Sequence, residues 1–508
     1  MNEFDDRYLD AAQTPQDIVI GTGAYAINLS AMRRAILSPG TFYDVKTFGA
    51  KGDGITDDTL SIQKAFNAVK TTGGTVVFPP GVYMATSVDI FPGLTIEGYG
   101  ATIKRPANQP NGTRTFTTQR VLYSGATDSA PIVIRGLTFD GNLANQGPYN
   151  AYQQEQSMLL FLNASTSTAG KVRAVLEDCT FLNSVSDGIS IYTNVSAQIV
   201  NCRAHECFRG GLTISGGYSE AVITNFIGTG STNPAGLHVE VDGPGYGSSY
   251  TVNVSVNGMQ LDASFSVAIS QNSVFTGSDI QTRKGPFNIT ANGSRVRISN
   301  SVFHVGSFDG TNNRIVCPTD TAFSNCVFVA DNVNGSTTYP FGCVNVFWNV
   351  SGIDPTQTNQ RLVLADCQFL VAKTPTSETV QAIRLEAQVL TDNNRLFVQG
   401  GMIESGFTHG LYMNQGGRVY VKDLFTSATT AFYLGLTTGY DIDVVLDGVI
   451  SRGHTTFENI PTGLSGSTIT HKNIVLDEND NSLASQFGLG SNKYYGRRII
   501  LGGSSPVG

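Results

Sequence analysis

The feature that most constrains this 508-residue chain is a short unit that returns along most of its length. The unit opens on Asn, Asp or Gly, passes through a small or apolar residue, and closes on Phe or an aliphatic side chain. It reads Gly136-Leu-Thr-Phe, Asp178-Cys-Thr-Phe, Asn201-Cys-Arg-Ala, Asn225-Phe-Ile and Asn257-Gly-Met-Gln. It continues as Asn300-Ser-Val-Phe, Asn325-Cys-Val-Phe, Asp366-Cys-Gln-Phe, Gly400-Gly-Met-Ile, Asp423-Leu-Phe and Asp447-Gly-Val-Ile. Successive units lie 23–25 residues apart at the shortest spacing and 32–43 apart elsewhere. A base period of that size suits one coil of a three-sided β-helix, a solenoid in which each coil packs only on its neighbours. The longer gaps are then coils with inserted loops, or pairs of short coils. Composition agrees, with 56 Gly, one Trp and 14% charged residues. That is the mix of many short strands joined by tight polar turns.

Parallel strands stack about 4.8 Å apart, so a sequence repeat becomes a set of ladders. Cys179, Cys202, Cys326 and Cys367 then fill one inward stripe, and Phe181, Phe303, Phe328 and Phe369 another. The Asn and Asp that open the units are expected to bond to turn backbone groups of neighbouring coils. Asp178, Asp366, Asp423 and Asp447 are therefore assigned to the scaffold rather than to catalysis. The seven cysteines (179, 202, 207, 317, 326, 343 and 367) are odd in number and lack a Cys-x-x-Cys pair. Both facts argue against a disulfide framework and against a zinc site. No metal or cofactor is expected.

The segment from Phe42 to Thr86 is different in kind. Gly49, Gly52 and Gly54 punctuate a turn, and Asp57 or Asp58 stands where it can N-cap a helix. Ile62, Ala65, Phe66 and Val69 recur at helical spacing, and Gly73-Gly74 ends the run. A short apolar strand, Thr75 to Phe78, follows and is closed by Pro79-Pro80-Gly81. This run resembles the start of the pectin-lyase-like right-handed parallel β-helix, as found in phage tailspikes and related polysaccharide-degrading enzymes. The expected architecture is all-β: a short N-terminal segment over 1–41, a solenoid with an N-terminal capping helix over 42–455, and a C-terminal cap or trimerisation tail over 456–508. Ala31 to Leu37 is expected to form a short helix, and Arg498-Ile-Ile-Leu a strand.

A net charge of −8 and the lack of any basic stripe argue against nucleic acid as a partner. No apolar run approaches the length of about 18 residues that a membrane-spanning helix requires. The first residues, Met-Asn-Glu-Phe-Asp-Asp-Arg, contain no apolar core of a secretory signal. That favours a protein assembled in a host cytoplasm and released by lysis over a secreted enzyme.

Three coils in register offer the strongest place for chemistry: Ser186-Asp-Gly-Ile-Ser-Ile-Tyr, Arg209-Gly-Gly-Leu-Thr-Ile-Ser and Pro234-Ala-Gly-Leu-His-Val-Glu-Val-Asp. With Ile189, Leu212 and Leu237 inward, the period of two turns Ser190, Thr213 and His238 outward in one row. Tyr192, Ser215 and Glu240 form the next row. One strand thus presents His238, Glu240 and Asp242 on the same face. Residues two apart on a strand lie about 7 Å apart, within the separation inverting glycosidases use for paired carboxylates. In this assignment Glu240 is the general acid, Asp242 the base that activates water, and His238 orients a carboxylate or a substrate hydroxyl. The alternative is an ordinary solvated strand face. Asp187 is a further catalytic candidate at the turn into its strand. Tyr192, Tyr246, Arg209 and Arg283 are candidates for holding sugar, by stacking or by charge.

Polygalacturonases of this superfold carry Asn-Thr-Asp, Gly-His-Gly and Arg-Ile-Lys elements at successive coils, and these are absent. Plant pectin is accordingly not the expected substrate. The resemblance to tailspikes implies a homotrimer on a phage tail that binds bacterial surface polysaccharide (O-antigen, capsule or exopolysaccharide) and hydrolyses it. Residues 1–41 would meet tail, baseplate or adaptor proteins. Two alternatives stay open: a receptor-binding spike of the same fold without activity, and a secreted polysaccharide lyase or hydrolase.

Overall fold

The computed structural model describes residues 42–118, 130–147, 156–164, 171–230, 235–240, 251–262, 264–270, 272–283, 287–291, 293–304, 314–316, 318–330, 341–348, 360–372, 379–387, 394–413, 417–434, 442–459 and 468–477. It also describes four short strands at 19–20, 27–28, 493–494 and 499–502. Two units are distinguished. One comprises Met1–Thr213, Ser219–Val222 and Thr229–Asn233; the other comprises Ile214–Tyr218, Ile223–Gly228 and Pro234–Gly508.

In the first unit the helix Thr59–Thr72 forms where the spacing predicts it, ended by Gly73. Its Ile62, Ala65, Phe66 and Val69 are buried, and Phe66 meets Phe116 edge-on at 5.6 Å. Asp58 occupies the N-cap position, but its carboxylate does not cap the helix. It accepts instead from the backbone N–H groups of Lys51 (2.6 Å) and Gly52 (3.0 Å), while Asp57 accepts from Thr59 N–H (3.0 Å). The glycine turn and the helix start are thereby tied together.

Beyond the helix, most described coils supply three strands; in the others one long strand, such as Ser219–Thr229, Val252–Leu261 or Val274–Thr282, runs through the corner. Ile132–Arg135, Thr138–Asp140 and Leu160–Leu162 pair in parallel with Val172–Glu177, Thr180–Leu182 and Asp187–Ile191 one coil later. The second unit repeats the scheme: Arg395–Gln399, Met402–Ile403 and His409–Met413 pair with Gly417–Lys422, Phe425–Thr426 and Thr430–Leu434. The fold is a right-handed parallel β-helix. The pairings also sort the long gaps. Thr138 pairs directly with Thr180, and Val327 with Gln368, so those gaps are single coils with insertions. The gap from Asn257 to Asn300 is a pair of short coils with a corner at Asp279, flanked by the pairs Met259–Ile280 and Gln281–Val302.

The residue that opens each unit sits at a corner in the left-handed conformation, with φ of 55° at Asp178, 52° at Asn201, 50° at Asn300, 56° at Asn325 and 52° at Asp366. Most L side chains avoid this region; Gly, Asn and Asp are the usual exceptions. The corner therefore explains the residue types. At two units the corner falls one residue later than the motif implies, on Gly258 and Gly448 rather than Asn257 and Asp447. The corner side chains also bond to one another from coil to coil: Asn201 Nδ2 donates to Asp178 Oδ1 (3.2 Å) and Asn325 Nδ2 to Asn300 Oδ1 (3.3 Å), while Asp178 Oδ2 accepts from the Tyr99 hydroxyl (2.9 Å).

Inside, the Phe stripe is a stack. Phe303, Phe328 and Phe369 are register partners, with ring centroids 5.6 and 5.2 Å apart. In the first unit Phe139 and Phe181 stack at 5.0 Å and 1°. The six described cysteines are buried, and burial pushes the Cys207 thiol up to about 12.

Parallel pairing does not stop near residue 455. Thr456–Asn459 pairs with Thr430–Leu434, Thr468–Lys472 with Ile442–Asp447, and Ile499–Gly502 with Ile474–Asp477. The expected boundary at 455 is therefore moved: the later coils keep their β-rich alternation but lose the Phe that marked the unit. Of the expected N-terminal segment, Val19–Ile20 and Ile27–Asn28 form an antiparallel pair; Ala31 to Leu37 lies outside the described residues.

Candidate functional site

In the first unit the strand Asp187–Ile191 buries Ile189 and Ile191 in the core, as the alternation predicts. Its polar residues do not face solvent. Asp187 is fully buried, and its Oδ2 lies 3.7 Å from Arg209 Nη1, so the guanidinium offsets the cost of burying the carboxylate. Ser190 and Thr213 are each 1% exposed, against the expectation of an open row. Beside Ser190, its register partner Phe161 lies under the guanidinium of Arg114, 4.0 Å from the ring centre, and burial holds Arg114 below the usual arginine range. Tyr192 is half-buried, 5.9 Å from Phe161.

In the second unit the strand Ala235–Glu240 places Leu237 and Val239 in the core and leaves His238 and Glu240 half-buried on the outward face. His238 Nε2 and Glu240 Oε2 are 2.9 Å apart. The imidazole thus fixes the orientation of the carboxylate, as outer partners do for reacting groups. Asp242 and Tyr246 lie outside the described residues. Arg283 is exposed and follows the strand Val274–Thr282, which belongs to a different face from Ala235–Glu240. Of the expected set, the structure therefore brings together His238 with Glu240, and Asp187 with Arg209.

His238 also begins something that neither motif nor spacing marks. Strand pairing carries its outward position through Ser266, Asn288, Arg314, Asn345, Arg384, Tyr412 and Tyr433. The Arg314 guanidinium lies 5.2 Å from the Phe347 ring, and that of Arg384 lies 5.2 Å from the Tyr412 ring. Tyr412 and Tyr433 stack at 5.0 Å and 4°. Variable loops between strands hide this row, although the triplets Leu411-Tyr-Met and Phe432-Tyr-Leu hint at its last two members. A separate groove of about 470 Å³ is lined by Ser255, Asn257, Thr276, Ser278, Arg297 and Ser299 among others. None of the expected site residues borders it.

Among the described residues no group of three or more His, Cys, Asp or Glu is placed to hold a metal ion. No described helix is long and apolar enough to cross a membrane.

Residues 42–226 match the family model "Rhamnogalacturonase A/epimerase, pectate lyase-like". A mannuronan C5-epimerase of Azotobacter vinelandii is 34% identical over 132 residues, 22% of this chain and 14% of the epimerase. Alginate lyase 7 of the same organism is 56% identical over 48 residues, 9% of this chain and 6% of the lyase. The chain thus spans only a small part of these relatives. Among solved structures, the N-terminal fragment of bacteriophage phi29 gene product 12 superposes with a TM-score of 0.50 at 15% identity, covering 88% of this chain and 72% of the fragment. That likeness is one of fold.

Proposed function

This chain is a pectin-lyase-like right-handed parallel β-helix, and we propose that it is a phage tailspike that binds a bacterial surface polysaccharide along its outward sheet face and hydrolyses it. The observation that carries the proposal is the row from His238 to Tyr433. Its eight positions repeat once per coil, so seven steps of about 4.8 Å span about 34 Å. A periodic row of amide, hydroxyl, guanidinium and aromatic groups suits a periodic ligand, which can repeat the same contact at successive rungs. A small molecule would use one or two rungs only. Polymeric sugar has the matching chemistry: hydroxyls for Ser266, Asn288 and Asn345, and apolar ring faces for aromatic groups.

Polysaccharide-acting relatives of different reaction types, an epimerase and a lyase among them, support the ligand class. The phage neighbour is compatible with a virion location, and homotrimer formation and tail attachment through residues 1–41 belong to the same proposal. Glu240, oriented by His238, donates its proton to the glycosidic oxygen, and Asp242 activates water on the opposite side of the sugar.

The test is a reducing-end assay on host surface glycan with the wild type, Glu240→Gln and Asp242→Asn. General acid or base assistance is worth about 10²–10⁴ in rate, so each variant should lose most cleavage while binding persists. Binding without any release of reducing ends in the wild type would assign the chain to non-catalytic receptor recognition. Absence of binding would overturn the proposal as a whole.

A further inference from the structure

We propose that Gln381, Arg384, His409, Tyr412 and Tyr433 form a subsite for the carboxylate of an acidic sugar. The inference rests on the polysaccharide reading above and specifies which sugars the far end of the row accepts.

The subsite is assembled by three adjacent strands of the second unit. Val380–Ala387 pairs with His409–Met413, and that strand with Thr430–Leu434. The register places Gln381 beside His409, and Arg384 beside Tyr412 and then Tyr433. The His409 ring centre is 5.4 Å from that of Tyr412 and 4.7 Å from that of Tyr433. Five chemically capable side chains therefore share one small area of the outward face.

Gln381 and Arg384 are only 1% and 7% exposed. Arg384 Nη1 donates to Gln381 Oε1 at 3.4 Å. A guanidinium offers only donors, so it fixes which end of the amide faces it and turns the Gln381 NH₂ away. That NH₂ is buried and has no hydrogen-bond partner among the described groups, and neither has Nδ1 of His409. A buried polar atom without a partner costs about 1–3 kcal/mol, and such atoms call for an explanation wherever they occur. Two on neighbouring strands at equivalent register, beside a cation, point to a ligand that completes them.

The donor set identifies the ligand. Gln381 contributes two N–H groups, Arg384 a charged fork, and the two tyrosines their hydroxyls. Burial lowers His409 to about 4, so the imidazole is neutral near pH 7 and carries one further N–H. Donors dominate and one of them is cationic, so the complementary group is an anionic acceptor. A planar carboxylate matches the planar amide and guanidinium, as charge-assisted forked pairs require.

The experiment compares oligogalacturonate and oligomannuronate hexamers with their carboxyl-reduced, neutral counterparts, by titration calorimetry on the full-length protein. The wild type should bind an acidic hexamer at least tenfold more tightly than its neutral counterpart. Gln381→Glu keeps the bond from Arg384 and replaces the unpartnered donor by a negative acceptor. It should abolish the preference, bringing the ratio of acidic to neutral affinity from at least ten down to about one. Tyr433→Phe is a second variant that keeps the ring and removes one hydroxyl donor, and it should weaken acidic binding more than neutral binding. Equal affinity of wild type for acidic and neutral hexamers would overturn the subsite and leave the polysaccharide reading standing. So would a preference that survives Gln381→Glu. No binding of any hexamer would likewise overturn the subsite, while binding of host surface glycan decides the polysaccharide reading separately.

Discussion

Replacing Asn325 separates the two forces that hold a corner of this solenoid. Asn325 sits at φ 56°, and its Nδ2 donates to Asn300 Oδ1 at 3.3 Å on the exposed edge of the coil. Asn325→Ala loses that bond, about 0.5–1 kcal/mol at an exposed site. It also loses the tolerance of Asn for a region that costs most L residues roughly 1–2 kcal/mol. The expected destabilisation is roughly 1.5–3 kcal/mol. Asn325→Gly loses the same bond and adds unfolded-state entropy of roughly 0.5–1 kcal/mol, but it carries no left-handed strain. It should cost roughly 1–1.5 kcal/mol and thus be the milder change. Ser324, one residue earlier, ends the extended strand Asp320–Ser324 and is exposed. There the order should invert, with Ala better than Gly by roughly 0.5–1 kcal/mol. The assay is urea unfolding followed by far-ultraviolet circular dichroism, read as midpoints at a common slope. An alanine at 325 as stable as glycine, or the same order at both positions, would refute the account of why Asn, Asp and Gly open the repeat.

Two further outcomes follow from burial. His409 titrates near 4 in the folded chain because burial disfavours its charged form, against 6.5 when free. Its contribution to stability is therefore present above about pH 6.5 and is lost as the pH falls through about 4. Because the ring is only about half-buried, roughly 1–2 kcal/mol is expected rather than the full value of the shift. His409→Asn should flatten this part of the stability–pH curve between pH 6.5 and 4, and parallel curves for the two proteins would contradict the burial argument. The thiols of Cys179, Cys202, Cys207, Cys326, Cys343 and Cys367 are all buried. They should resist a thiol reagent in the native protein and react after denaturation; rapid native modification of Cys179 or Cys202 would place them outside the core.

Much of the scaffold is legible in the sequence because it rests on local rules. A left-handed corner admits few residue types, so Asp178, Asn201, Asn300, Asn325, Asp366 and Asp423 announce themselves. Where an inward ladder of identical rings forms, Phe recurs at one offset from successive corners, which makes Phe303, Phe328 and Phe369 visible as a stack. Helical spacing after a glycine turn marks Thr59–Thr72. Where a rule has a second solution, the motif slips: glycine satisfies the corner as well as asparagine, so Gly258 and Gly448 take it from their neighbours. At Asp279 and beyond residue 455 the motif is not recognised although the strands still pair.

The outward face is decided by tertiary structure. Alternation within one strand suffices to put His238 and Glu240 together, and their 2.9 Å contact is an interaction of two residues on a single strand. It does not suffice to show that Ser190 and Thr213 are buried rather than open to solvent, or that Arg114 lies over the Phe161 ring beside Ser190. Nor does it link Gln381 and Arg384 to His409, Tyr412 and Tyr433. Those residues meet only through hydrogen-bonded register between strands separated by loops of unequal length. Inserted residues change the sequence distance between two rungs without changing the roughly 4.8 Å between them. The sequence by itself therefore determined the repeating scaffold, and only the pairing of strands decided which outward side chains stand side by side.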